Sequence, residues 1–80
     1  SINISGSINL TNLNCINNPH ITSANWDTIL ATLVDNELSG GSFYINDTNH
    51  GGSDNPPSAA GLASGLILTS RGWSVNYNGD

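Results

Sequence analysis

Apolar and polar positions along this 80-residue chain follow two different rhythms. Three short stretches alternate apolar, other, apolar: Leu13-Asn14-Cys15, Phe43-Tyr44-Ile45 and Trp73-Ser74-Val75. A period of two is what a β-strand with one buried face requires, because successive side chains leave a strand on opposite sides. Each stretch is followed by polar residues: Asn17-Asn18, then Asn46-Asp47-Thr48, then Asn76 and Asn78. The three stretches align at steps of thirty residues, which predicts one structural unit repeated along the chain.

Between them the rhythm becomes helical. Over Ser23–Glu37 the apolar residues are Trp26, Ile29, Leu30, Leu33 and Val34, the i, i+3, i+4, i+7, i+8 spacing of a single stripe. Thr22 or Ser23 supplies a start cap, and Asp27 is expected in the first turn, where the helix dipole favours an anion. Gly40-Gly41 follows the end and suits a left-handed cap. A second helix is expected over Ser58–Arg71, with Ala59, Leu62, Ala63, Leu66 and Ile67 on its buried side. Pro57 sets the entry, Ser58 is the cap, Gly72 the stop, and Arg71 suits the last turn. Gly61 and Gly65 each weaken a helix by about 1 kcal/mol relative to Ala, but their spacing of four allows close approach to the sheet.

Strand, helix, strand, helix, strand implies parallel strands joined by right-handed crossovers. Both helices then lie on one face and the other stays open, although parallel sheets usually bury both faces. One-sided cover with a regular period is the arrangement of a solenoid. The expected fold is therefore α/β: a short right-handed solenoid of about three strand/helix units of period 30, with a parallel sheet and helices on one face.

Within residues 10–18, Leu10-x-x-Leu13-x-Cys15-x-x-Asn18 resembles the strand segment of a leucine-rich repeat, with Cys in the third apolar slot as in bacterial members. The resemblance implies that the leucines point inward from a short strand. It also implies that the Asn18 amide bonds the backbone where the chain turns away, at a bend that otherwise costs about 1–3 kcal/mol per unsatisfied group. It covers this one segment well. The apolar residue after the Asn is Ile21, one place later than the family spacing, whose slot holds His20. The second unit, from Gly41 to Asn46, keeps two inward apolar residues and a polar successor; the third, from Gly72 to Asn76, keeps less. A helix ending in Arg71-Gly72-Trp73 before a last short strand resembles the terminal unit of such arrays. These repeats serve many partners, so the resemblance bears on architecture.

Residues 1–9 alternate Ile2, Ile4 and Ile8 with polar residues and read as an extended N-terminal arm or an extra strand, ahead of a leucine-rich-repeat-like domain over 10–80. An N-terminal Ser fits both a complete small protein, trimmed of its Met, and a piece of a longer one. A bare strand edge recruits other chains, and the arm and the strand over Trp73–Tyr77 would leave edges at both ends. That predicts self-association.

Composition narrows the function classes. Only 9% of residues are charged, against thirteen Asn and eleven Ser, with no Lys and Arg71 as the one strong cation. Correctly spaced Ile, Leu and Trp predict folding rather than disorder, though a chain this short buries only about 60% of its unfolded surface. A net charge of −5 excludes nucleic acid, which needs cations to displace phosphate counterions; the missing basic cluster argues likewise against an anionic membrane surface. No apolar run approaches the roughly 20 residues of a membrane span. Cys15 is the single cysteine, so no internal disulfide forms, and its apolar slot predicts a buried thiol.

Candidate chemistry is sparse. In Gly-Leu-Ala-Ser-Gly (61–65) Ser64 stands in the fourth slot within a helix, not at a strand-to-helix elbow. His20 and His50, thirty apart, are geometrically thinkable as a metal pair, but both read as turn histidines beside Pro19 and Gly51. Asp47, Asn49 and Asp54 offer oxygen ligands of the kind Ca²⁺ takes. An EF-hand loop would need an acid where Ser58 stands and an oxygen ligand where Gly51 stands, so 46–55 reads as a polar turn. Sequons at Asn3, Asn9 and Asn46 carry little weight in so Asn-rich a chain. No catalytic, cofactor or metal site is assigned.

The open sheet face remains. Alternation places Asn12, Asn14 and Ile16 outward in the first unit, Tyr44 and Asn46 in the second, and Ser74 and Asn76 in the third. Asn12, Asn14, Tyr44, Asn46, Ser74 and Asn76 form the candidate binding face, while Trp26 and Trp73 belong to the core. The expected function is a non-enzymatic structural or binding module acting through protein–protein contacts. It would work outside the cell or on a virion, as a decoration or tail protein or part of a surface adhesin. The alternative is a glycan-binding module around Tyr44.

Overall fold

A computed structural model of the chain describes residues 2–15, 21–44 and 57–77. The element order is β1 (Asn12–Asn14), α1 (Ser23–Asp35), β2 (Ser42–Tyr44), α2 (Ala59–Ser70) and β3 (Ser74–Asn76). The strands form one parallel sheet in the order β1-β2-β3. This is the expected α/β alternation. Leu13, Phe43 and Val75 stand in register across the sheet, so the first step is thirty residues and the second is thirty-two. The even period of thirty is therefore corrected. Trp73, which the sequence pattern pairs with Leu13 and Phe43, instead precedes β3 and closes the cap of α2.

One core holds the fold. Trp26, Ile29, Leu30 and Leu33 of α1, Phe43 of β2 and Leu68 of α2 are almost completely buried, with Cys15 and Trp73 beside them. Trp26 meets Phe43 edge to face, centroids 6.3 Å apart, a geometry worth about 0.5–1.5 kcal/mol beyond burial. The stripe read from Ser23–Glu37 is the one that packs. Thr22 caps α1 through its Oγ1, which accepts the Asn25 N–H at 3.1 Å. At the other end the left-handed position falls on Glu37, φ 58°, rather than on the Gly40-Gly41 pair expected to take it. The Glu37 N–H donates to the Val34 carbonyl at 3.1 Å. α1 simply ends earlier than those glycines, and Gly40 (φ 75°) bends the chain into β2 instead.

α2 ends in a Schellman cap. Gly72 (φ 82°) donates to Thr69 O at 3.0 Å and Trp73 to Leu68 O at 3.0 Å, the paired bonds that close a helix C-terminus. Its buried side differs from the expectation. Gly61, Gly65 and Leu68 face inward, while Leu62, Leu66 and Ile67 are 44%, 73% and 43% exposed and Ala59 and Ala63 are exposed as well. The reason is space. A Cβ on Gly61 would collide with the Asp27 carboxylate, and one on Gly65 with the Tyr77 hydroxyl. Asp27 and Pro57 stand against one glycine and Tyr77 and Val75 against the other, so α2 presents its thinnest side to them.

Residues 2–10 are not part of the three-stranded sheet but run along α1. The Ile2 N–H donates to Asn25 Oδ1 and the Asn25 Nδ2 donates back to the Ile2 carbonyl, both at 2.8 Å. Nearer the end of the helix, Asn36 Nδ2 donates to the Ser7 carbonyl at 3.3 Å. Ile4 enters the core, 8% exposed, whereas Ile8 stays 64% exposed. The segment thus covers the flank of α1 opposite α2.

Candidate functional site

Parallel pairing assembles the open face into two rows. Asn12, Ser42 and Ser74 form one; Asn14, Tyr44 and Asn76 form the other. Neighbouring strands in a sheet lie roughly 4.8 Å apart, so Tyr44, half-buried on the central strand, stands between two asparagines. Ser42 Oγ donates to Asn12 Oδ1 at 3.1 Å. Five of the six candidate residues, Asn12, Asn14, Tyr44, Ser74 and Asn76, are thereby brought together. Asn46 and the outward Ile16 lie outside the described residues. The second step of thirty-two places Asn76, not Ser74, beside Tyr44. Ser42 was missed, although its place two residues before Tyr44 puts it on the same side of the strand. These rows contain amides, hydroxyls and one aromatic ring, and no ionised side chain.

The ionisable groups nearest the helices serve the fold. The Asp27 carboxylate accepts the Ser58 N–H at 2.9 Å and also the Ser58 hydroxyl. Asp27 lies beyond the first turn of α1, so its charge complements the N-terminus of α2 rather than that of its own helix. Arg71 reaches the opposite end of the layer, where Nη1 donates to the Val34 carbonyl at 2.7 Å. It therefore serves α1, not the last turn of α2 as expected.

The remaining candidates are chemically quiet. Burial pushes the Cys15 thiol up from its ordinary value, which keeps it protonated and a poor nucleophile at neutral pH. Burial likewise raises the Tyr77 hydroxyl. Ser64 lies within α2, as its sequence position implied. No cluster of three or more His, Cys, Asp or Glu occurs among the described residues; His20, His50, Asp47, Asn49 and Asp54 lie outside them. Among the described residues, no helix is long and apolar enough to cross a membrane.

Two further surfaces flank the helical layer. One is the exposed Leu62, Leu66 and Ile67 of α2. The other is a half-open cavity of about 370 Å³ between the N-terminal segment and α1, lined by Ile2, Ile4, Asn25, Thr28, Ile29 and Thr32 among others. No family model matches the chain, and no curated protein or solved structure matches it.

Proposed function

We propose that this chain is a non-enzymatic structural or binding module, a short leucine-rich-repeat-like α/β solenoid that works through protein–protein contacts. The observation that carries the reading is the sheet face that no described helix covers, two uncharged rows across β1, β2 and β3. Such a face recognises by shape and hydrogen bonding, and it meets another protein surface without the cost of burying charge. The family reading is supported by the inward side of the first unit, where Cys15 is buried and Leu10 and Leu13 pack on the core. The low charge, absence of Lys and single thiol fit a place in an extracellular assembly, such as a virion decoration or tail protein or a surface adhesin.

The position of Tyr44 favours a second reading, in which the same face binds glycans. A ring bracketed by two amides, with hydroxyls in the next row, stacks on a sugar and bonds its hydroxyls. Light scattering over a concentration series, run beside a glycan array, separates the two. Protein contacts predict a mass that grows with concentration and no glycan signal. The glycan reading predicts a monomer whose array signal disappears in Tyr44→Ala.

A further inference from the structure

Residues 2–8 lie on α1 as an extended ligand lies on a receptor. Asn25 holds Ile2 by its main chain: Oδ1 accepts the Ile2 N–H and Nδ2 donates to the Ile2 carbonyl, both at 2.8 Å. A side-chain amide carries both a donor and an acceptor, so Asn25 engages the segment as a neighbouring strand would, through backbone rather than side chain. Two residues on, Ile4 is 8% exposed and joins the core. Further along, Asn36 Nδ2 donates to the Ser7 carbonyl at 3.3 Å. Backbone clamp, apolar anchor and second backbone contact follow one another along a single helix.

Between these anchors the segment is loosely held. The half-open cavity of about 370 Å³ lies between residues 2–5 and the side of α1 that carries Asn25, Thr28, Ile29 and Thr32. Asn3 and residues 5–9 are exposed. Two successive turns fold this stretch: the Ser7 N–H donates to the Ile4 carbonyl at 2.9 Å, and the Leu10 N–H to the Ser7 carbonyl at 3.2 Å. Gly6, between them, stands in open space, with nothing within 4 Å of a Cβ placed on it. Exposed backbone bonds and few buried contacts mark the part of a fold that opens most readily. Once both turns open, their polar groups bond water and residues 5–9 extend to roughly 17 Å.

Release leaves the Asn25 amide and the Ile4 site vacant. The segment that refills both, contact for contact, is residues 2–8 of another copy. We propose that two copies exchange these arms, each docking on α1 of its partner through Asn25, the Ile4 site and Asn36. The exchange rests on the protein-contact function proposed above and names its partner. It remakes the contacts of the closed chain, so the two states differ in the hinge turns and in the cost of association. Reciprocal exchange closes on itself as a two-fold dimer.

The test shortens the hinge. Deleting Ser5 and Gly6 removes the turn that returns the arm to its own α1 and keeps the docking residues Ile2 and Ile4. Sedimentation velocity should show a monomer–dimer equilibrium for wild type. The deletion variant should dimerise at roughly tenfold lower concentration, because the closed state no longer competes. Adding Asn25→Leu to the deletion should return it to monomer. A second measurement needs no deletion: a labelled peptide of residues 1–10 is titrated into the full chain. Ile2→Pro lacks the N–H that Asn25 accepts, so its own arm competes less and it should bind the peptide roughly tenfold more tightly than wild type. Asn25→Leu should not bind it. Wild-type association that the deletion leaves unchanged, or an Ile2→Pro chain that ignores the peptide, would overturn arm exchange and leave the protein-contact function standing. Wild-type and deletion chains that both stay monomeric at all concentrations and bind the glycan array would overturn both.

Discussion

Asp27 on α1 caps α2: its carboxylate accepts both the backbone N–H and the hydroxyl of Ser58, thirty-one positions away in sequence. The helices run parallel, so their N-termini lie together, and one carboxylate supplies both an acceptor and a complementary charge. Asp27→Ala is expected to cost about 1–2 kcal/mol. Asp27→Asn, which keeps an acceptor and loses the charge, should cost roughly half as much. Urea titration of the two variants measures this, and an Asp27→Asn variant as stable as wild type would show that the charge contributes nothing.

Helix propensity alone makes Gly61→Ala stabilising by about 1 kcal/mol. The structure reverses that sign. The new methyl collides with a carboxylate already committed to Ser58, and overpacking of this kind costs about 1–3 kcal/mol. Gly41→Ala should be worse, because its Cβ would lie 2.5 Å from the Thr11 carbonyl oxygen and 2.6 Å from the Trp73 ring. Backbone cannot swing aside as a side chain can. The ordering Gly41→Ala below Gly61→Ala below wild type in melting temperature is the outcome to check.

The two tryptophans make an internal comparison. Trp73 Nε1 donates to the Leu38 carbonyl at 3.0 Å, whereas the buried Trp26 Nε1 finds no hydrogen-bond partner among the described residues. Replacement by Phe removes similar volume at each site. At Trp73 it also leaves a carbonyl without its donor, and at Trp26 it removes an orphaned one. Trp73→Phe is therefore expected to lose about 1 kcal/mol more than Trp26→Phe in chemical denaturation.

Cys15 reports on the core. Its raised thiol value means that the unfolded chain releases this proton before the folded one does. Its contribution to stability is fully present below the ordinary thiol range, about 8.5. It is lost as pH rises from there through the higher folded-state value, so stability should decline on the alkaline side. At pH 7 a thiol reagent should label the native chain far more slowly than the chain in urea. Equal rates would place the thiol outside the core.

Much of this architecture was legible in the sequence because it depends on local periodicity. The stripe from Trp26 to Val34 can be buried only as a helix, and the alternation around Leu13 and Phe43 only as strands. Thr22 and Gly72 marked helix ends through their own side-chain and backbone preferences. Of the candidate face, Asn12, Asn14 and Tyr44 followed directly from that alternation.

Three features depended on packing instead. Register at β3 was set by the Schellman turn and Trp73, which displaced the second step to thirty-two. The orientation of α2 could not be read from its own residues, because it is apolar all round. Collision with Asp27 and Tyr77 decided that the glycines turn inward and the leucines outward. Asp27 and Arg71 found partners on the neighbouring helix, since two parallel helices bring like ends together and each charge complements the end it meets. Sequence by itself determined which segments are helix and strand, because those choices cost each residue its own conformational freedom. Only the tertiary structure decided which faces meet, because that depends on the volume left between elements far apart in the chain.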